Sequence, residues 1–366
     1  MISSWLNYFD VKLPYFDIQC FLAGAKMNRF LYAKSLLMLV FTFCCGLELT
    51  RGQDIQSDSQ NGASPIANSQ EAQQSDSKVP VKPTKPKKKR ADKFKPDKFL
   101  SYKKVEKGEL RLHVFEPEGH QATDQAPAIV FFFGGGWNGG TPRHFYQQAK
   151  FFAGHGFVAM SAEYRVKKTH GTSPFQCVED GKSAVRWIRS HAKELGIDPE
   201  RIVASGGSAG GHVAACTGVI EGHENEEEDL TVSSIPNAMI LFNPVLDTTE
   251  KGYGVEKVGQ ARKTEISPNH QVRAGIVPTL LVHGTADKTV PFENAETFAR
   301  LMKEAGNQCR LESYEGKDHG FFNSKFFRPK TKDTSDYEQT IKQSLEFLTA
   351  LGITAKDDAP AVTGKP

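Results

Sequence analysis

Cysteine is scarce in this chain, and neither charge sign is in large excess. Six cysteines occur in 366 residues, and Cys20, Cys44 and Cys45 all precede residue 50. The remaining Cys177, Cys216 and Cys309 allow one disulfide at most, which excludes a disulfide-stapled scaffold. None has zinc-like spacing, and none is a good nucleophile candidate; Cys216 falls in an apolar helical run and reads as packing. The formal net charge of +3 is too small to imply a nucleic-acid partner. There is no internal repeat. The long apolar run from Leu36 to about Leu47 is short for a membrane span, so no stable span is expected in the mature chain.

What is present suits a globular protein, with 39% hydrophobic and 24% charged residues. Arg29 and Lys34 precede the run at Leu36, and polar sequence follows it. That is the order of a secretory signal peptide starting at Met27, with Thr50 and Gly52 small enough to flank cleavage near Gln53. Residues 1–52 are therefore expected to be an upstream extension plus signal peptide, and the protein to be periplasmic or secreted rather than membrane-anchored. Residues 53–98 are expected to form a disordered basic linker. It is Ser-, Gln- and Asp-rich at first and ends in "VKPTKPKKKR" (Val81 to Arg90). A basic arm drawn to an anionic surface is the alternative for that segment. A catalytic domain is expected over 99–352 and a disordered tail over 353–366.

From Leu110 onward strand-like and helix-like segments alternate. "LRLHVFE" (Leu110 to Glu116) alternates like an edge or half-exposed strand, whereas "AIVFFF" (Ala128 to Phe133) is continuously apolar, as a strand covered on both faces is. "GFVAMSAEYR", "RIVAS", "AMILFN" and "TLLVHG" read the same way. Ser173, Pro174 and Gln176 spell a helix start with a capping box, Val178, Val185, Ile188 and Ala192 share one face, and Gly196 ends the run. A last helix places Tyr337, Ile341, Leu345 and Leu348 on one stripe. This pattern predicts an α/β fold, a mostly parallel sheet with helices on both faces.

In such folds functional groups collect at the carboxyl ends of strands. Ser208 lies just past "RIVAS", inside Gly206-Gly207-Ser208-Ala209-Gly210, a G-x-S-x-G sequence. A Ser held on a sharp strand-to-helix turn needs neighbours without side chains two residues either side. Ser208 is thus the candidate nucleophile. Asp287 follows the strand "TLLVHG", and His319 follows "RLESY"; the order Ser, Asp, His supplies a base and an orienting acid. Asp247 is the runner-up acid, and His212 and His283 read as packing or supporting residues. "FFFGGGWNGG" puts bare glycine N–H groups after a buried strand. Gly135, Gly136 and the N–H of Ala209 are the candidate oxyanion donors. Trp137 and Tyr164 are candidates for bordering the substrate.

From about Leu110 to Leu351 the chain resembles an α/β-hydrolase serine esterase, closest to the hormone-sensitive-lipase-like group and the bacterial feruloyl and acetyl carbohydrate esterases. The residues that carry the likeness are Gly134-Gly135-Gly136-Trp137, "SAEYR", "GIDPERIVASGGSAGGH", "HGTADKTVP" and "DHGFF". The resemblance implies hydrolysis of carboxylic esters without a metal or organic cofactor. One departure stands out: the group usually carries a His before the three glycines, where this chain has Phe133. Only about thirty residues separate Asp247 from Val277, too few for a large cap. An open, polar-rimmed site of that kind suits short acyl groups, acetyl or feruloyl, on a small-molecule or glycan ester. Oligomeric state is not legible.

Three other readings compete. Gly134, Gly136 and Gly139 also spell G-x-G-x-x-G, with Glu163 ending a later strand, a dinucleotide-binding outline, although "GGTPRH" is a poor helix start. A serine peptidase of the prolyl-oligopeptidase type shares the triad but carries a large extra domain. A secreted binding module with an impaired site is the third.

Overall fold

In the computed structural model the described residues are 94–330 and 333–355. The expected extension, signal peptide, nearly all of the linker and most of the tail lie outside them. Eight strands form one sheet: β1 Lys98–Val105, β2 Gly108–Phe115, β3 Ala126–Phe132, β4 Val158–Ala162, β5 Ile197–Gly207, β6 Ala238–Phe242, β7 Thr279–Gly284 and β8 Cys309–Tyr314. The order across the sheet is β1-β2-β4-β3-β5-β6-β7-β8. β1 pairs antiparallel with β2 and β2 with β4, while every other neighbouring pair is parallel.

The parallel strands β3, β4, β6 and β7 are buried at every residue, because helices cover both faces. The helices are α1 Tyr146–Ala153, α2 Lys167–His170, α3 Pro174–Ser190, α4 Ala209–Val219, α5 Val255–Val258, α6 Phe292–Glu304 and α7 Ser335–Ala350. Along β3 the side chains alternate between two hydrophobic layers. Val130 and Phe132 join α3, α4 and α6 on one face; Ile129 and Phe131 join α1 and α7 on the other. The Ser173 N–H donates to Gln176 Oε1 at 2.9 Å at the start of α3, and Gly196 takes φ 64° beyond its end.

Three differences from the sequence pattern have physical causes. β1 was not anticipated, because a register shift between Ser101 and Lys103 breaks the period-2 alternation of "KFLSYKKV", and Lys103 is a buried cation paired with Glu179 and Asp180 rather than an apolar core residue. β2 is accordingly an interior strand. The folded chain also begins before residue 99: Phe94 packs edge-on against Phe326 with centroids 5.0 Å apart, and Asp97 N–H donates to Val114 O at 2.8 Å. At the other end Ile353 and Thr354 are buried, and Arg201 Nη1 donates to the Thr354 carbonyl at 2.7 Å.

Candidate active site

Ser208 sits between the end of β5 and the start of α4 at φ 58°, ψ −125°, a backbone conformation that L side chains rarely adopt. Its N–H donates to Phe242 O at 3.0 Å, and its carbonyl accepts from Val245 N–H at 3.3 Å, so β6 and the loop after it hold the turn. The glycines at 206 and 210 are steric necessities. A methyl on Gly206 would lie 2.8 Å from Phe132 O, and one on Gly210 would overlap the carbonyl oxygens of Phe132 and Phe133.

Loops after β7 and β8 bring the other two candidates to this point. His319 Nε2 lies 2.9 Å from Ser208 Oγ, and His319 Nδ1 lies 2.6 Å from Asp287 Oδ2. Asp287 is buried, and five donors surround its carboxylate. Thr289 and Val290 N–H give to Oδ1 at 2.8 and 3.0 Å, and Asn243 Nδ2 gives to Oδ2 at 2.7 Å. His283 Nε2, which can only donate to the Val290 carbonyl at 3.1 Å, also lies 3.3 Å from Oδ2. Burial opposes ionisation of Asp287, but the hydrogen bonds from His283, His319 and the Val290 N–H outweigh it and hold the carboxyl well below the usual carboxylate range. Asp247, the runner-up, turns inward instead: its Oδ1 accepts from Thr249 N–H at 2.7 Å and its carbonyl from Tyr253 N–H at 2.9 Å. Asp318 faces solvent and accepts from Gly320 N–H.

The glycine loop lies against the same cavity, about 980 Å³ in volume, whose lining includes Gly134, Gly135, Gly136, Ser208 and His319. No described group accepts from the N–H of Gly135 or Gly136. Ala209 opens α4, so its N–H is among the first-turn donors that a helix leaves unpaired. Hydroxyl, imidazole, carboxylate and bare amide donors are thus grouped as acyl transfer requires.

Tyr164 is corrected from a substrate contact to a core residue. It is fully buried, its ring stacks on Phe133 at 4.2 Å, and its hydroxyl donates to the Phe133 carbonyl at 2.6 Å. Trp137 is also buried, edge-on to His212 and tilted against Tyr253, and what it offers is one wall of a second cavity of about 560 Å³. That cavity shares Gly135, Gly136 and Tyr253 with the first. The dinucleotide outline fails on two counts: Glu163 is occupied by Arg111 and His113, and α1 starts only at Tyr146, well beyond the glycines.

Three residues in contact with this machinery, Asn243, His144 and Asn323, were not singled out from sequence. Asn243 directly follows the buried β6 as a lone amide, which was a usable signal. His283 supports Asp287, one of the two roles read for it from sequence. His144 accepts the Gly134 N–H on Nδ1 at 3.1 Å and contacts Asn323 Oδ1 through Nε2. Nothing in "TPRHFY" or "FFNSKFF" marks His144 or Asn323, whose partners are remote in sequence. His212, by contrast, packs as expected, donating to Ile266 O at 2.6 Å.

Residues 112–256 match the family described as BD-FAE, and residues 238–351 match the dienelactone hydrolase family. The solved apo form of Thermogutta terrifontis esterase 2 is 48% identical to this chain with a TM-score of 0.67, over 70% of this chain and 96% of that one. The chain belongs to the α/β-hydrolase esterases. It is a carboxylic ester hydrolase. The same thermophilic esterase has been solved with propionate, with butyrate and phosphorylated by paraoxon. Carboxylesterase NlhH of Mycobacterium tuberculosis is 27% identical over 221 residues, 55% of this esterase and 68% of NlhH. An acetylxylan esterase of Xylanibacter ruminicola is 28% identical over 232 residues, of which this esterase spans only 44%. No helix among the described residues is long and apolar enough to cross a membrane.

Proposed function

We propose that this esterase works through an acyl-enzyme on Ser208. Ser208 Oγ attacks the ester carbonyl while His319 Nε2 takes its proton. The oxyanion of the tetrahedral intermediate is received by the N–H groups of Gly135, Gly136 and Ala209. His319 passes its proton to the leaving alcohol, then activates a water that releases the acid. Asp287 keeps the imidazole in the tautomer with Nε2 free to accept. The observation that carries this reading is the pair of contacts at 2.9 and 2.6 Å that link hydroxyl, imidazole and carboxylate.

The substrate we propose is a short-chain acyl ester, acetyl or feruloyl, on a carbohydrate. Support comes from the short segment between Asp247 and Val277, which leaves the Ser208 cavity open, and from the second cavity beside it. The latter is walled by Trp137 and Tyr253 and edged by Lys167, Asn138 and Lys257, which gives the alcohol part an aromatic face and hydrogen-bond donors. The acids found with the thermophilic relative are short, and one relative is named for acetylated xylan. Export by the signal peptide would put the enzyme where such polymers occur. The test is turnover of a chain-length series of acyl esters beside acetylated and feruloylated glycans, with Ser208→Ala as control. Ser208→Ala is expected to abolish turnover; wild-type rates in that variant would discard the nucleophile. A preference that rises beyond butyrate and ignores glycans would discard the substrate class.

A further inference from the structure

Phe133 stands where the resembled group carries a histidine, yet the glycine loop is firmly tied. The tie comes from a residue ten positions further on. We propose that His144, anchored by Asn323, is the positioning residue that aims the N–H groups of the glycine loop at the reacting carbonyl. The inference rests on the Ser208 mechanism above.

The geometry is a continuous chain of directed hydrogen bonds. Gly134 N–H donates to His144 Nδ1 at 3.1 Å, so that nitrogen carries no proton. The ring proton therefore sits on Nε2 and is given to Asn323 Oδ1. Asn323 Nδ2 in turn donates to the Gly320 carbonyl at 3.0 Å, and Gly320 follows His319 directly. Three bonds thus link the loop that receives the oxyanion to the loop that carries the base. Gly134 is wedged between the two sites: a methyl there would lie 3.3 Å from Ser208 Cβ and 3.4 Å from His144 Cε1.

His144 is itself immobilised. It lies in a 3-10 turn, Pro142–Phe145, whose cap Thr141 accepts from Arg143 N–H. Its ring stacks on Phe327 at 4.1 Å and tilts against Phe145 at 4.5 Å. Burial pushes its imidazole down to about 4, against a smaller opposing effect of the Asn323 bond, and a positive charge on His319 pushes the same way. The ring therefore stays neutral and able to accept while His319 is charged in the reaction.

The test compares three substitutions at 144 and one at 323, on an acetyl ester and with paraoxon as a covalent probe. Removing one oxyanion donor lowers turnover by about 10²–10³, so loosening the loop in His144→Phe is expected to lower kcat by about 10- to 100-fold, with KM changed by less than about threefold. Inactivation by paraoxon is expected to slow by a similar factor. His144→Asn keeps an acceptor near the Nδ1 position and is expected to recover much of the loss. His144→Gln keeps only the donor toward Asn323 and is expected to recover less. Asn323→Leu carries the test from the far end if His144→Phe does not fold, with kcat lowered by about 5- to 10-fold. The inference is overturned if kcat of folded His144→Phe, or of Asn323→Leu in its stead, stays within threefold of wild type. It is also overturned if the loss lies in KM, or if Asn rescues no better than Gln. A wild type without Ser208-dependent turnover would instead remove the mechanism on which the inference stands.

Discussion

Replacing Asp287 by Asn isolates the orienting acid with almost no change of volume. The outcome follows from the five donors around the carboxylate. Two of them, the N–H groups of Thr289 and Val290, are backbone and cannot reverse, so the amide oxygen must take the Oδ1 place. The new NH₂ then faces the Oδ2 side. There Asn243 can flip and offer its own oxygen, which has no partner in the native arrangement. His319 has one way to adapt: Nδ1 must accept, so the ring proton moves to Nε2 and points at Ser208 Oγ, 2.9 Å away. In that tautomer the imidazole cannot take the hydroxyl proton. The same substitution in a trypsin-type triad lowers kcat about 10⁴-fold, equivalent to about 5.5 kcal/mol of barrier, and a loss of about 10³–10⁴ is expected here. The assay is steady-state hydrolysis of an acetyl ester near pH 8, with a thermal unfolding scan to show that the variant is folded. A folded Asp287→Asn enzyme within tenfold of wild type would refute the tautomer argument. So would a larger loss from Asp247→Asn.

Three further outcomes are expected. Gly210→Ala places a methyl against the carbonyls of Phe132 and Phe133, an overpacking that costs about 1–3 kcal/mol and lowers Tm by about 2–12 °C; an unchanged Tm and kcat would contradict the packing of the turn. Burial pushes both His144 and His212 down to about 4, so between about pH 6.5 and 4 the unfolded chain binds protons that the folded chain refuses. Stability is then full above about pH 6.5 and is lost as pH falls toward 4, by up to about 2.7 kcal/mol per pH unit for two protons. Thermal scans showing the same Tm at pH 7.5 and pH 5 would contradict this. Phe133→His restores the residue usual in the resembled group, but it removes a ring stacked on Tyr164 and a neighbour of Gly140. Its kcat is expected to stay within threefold of wild type or to fall; a tenfold gain would mean that the glycine loop is poorly set in the native enzyme.

How much of this was legible in the sequence depends on how local each cause is. The G-x-S-x-G turn, the apolar strands before Asp287 and His319, and the capping box at Ser173 are set by near neighbours, and near neighbours are what a pattern records. β1 was lost because a register shift interrupts its alternation and Lys103 faces inward, paired with carboxylates about 76 residues away. Tyr164 was misplaced for a related reason. Polar aromatics at strand ends serve packing and recognition alike, and its hydroxyl is consumed by a carbonyl 31 residues upstream. His144 and Asn323 are 179 residues apart, and only the closing of the sheet brings them together. Their partners could be found only in three dimensions.

The distribution of backbone strain argues that the site is a property of the whole sheet end. Among the described residues five non-glycine positions take positive φ, and three of them are the nucleophile Ser208, Asn243 beside Asp287, and Trp137 in the glycine loop. Conformations of that kind cost about 1–3 kcal/mol each and persist only where the surroundings over-determine them. Here Ser208 and Asn243 are tied through neighbouring residues of one segment. Asn243 at φ 41° is pinned by its N–H to Val282 O at 2.8 Å and by its amide to Asp287. Ser208 is pinned to Phe242, the residue just before Asn243. The Trp137 carbonyl accepts from Lys167 N–H at 2.9 Å, at the start of α2. Relaxing Asn243 loosens a hydrogen-bond partner of Asp287 directly, whereas Trp137 belongs to the core. It follows that Asn243→Ala lowers kcat by more than its effect on Tm alone would suggest, whereas substitutions in the buried strands change both together.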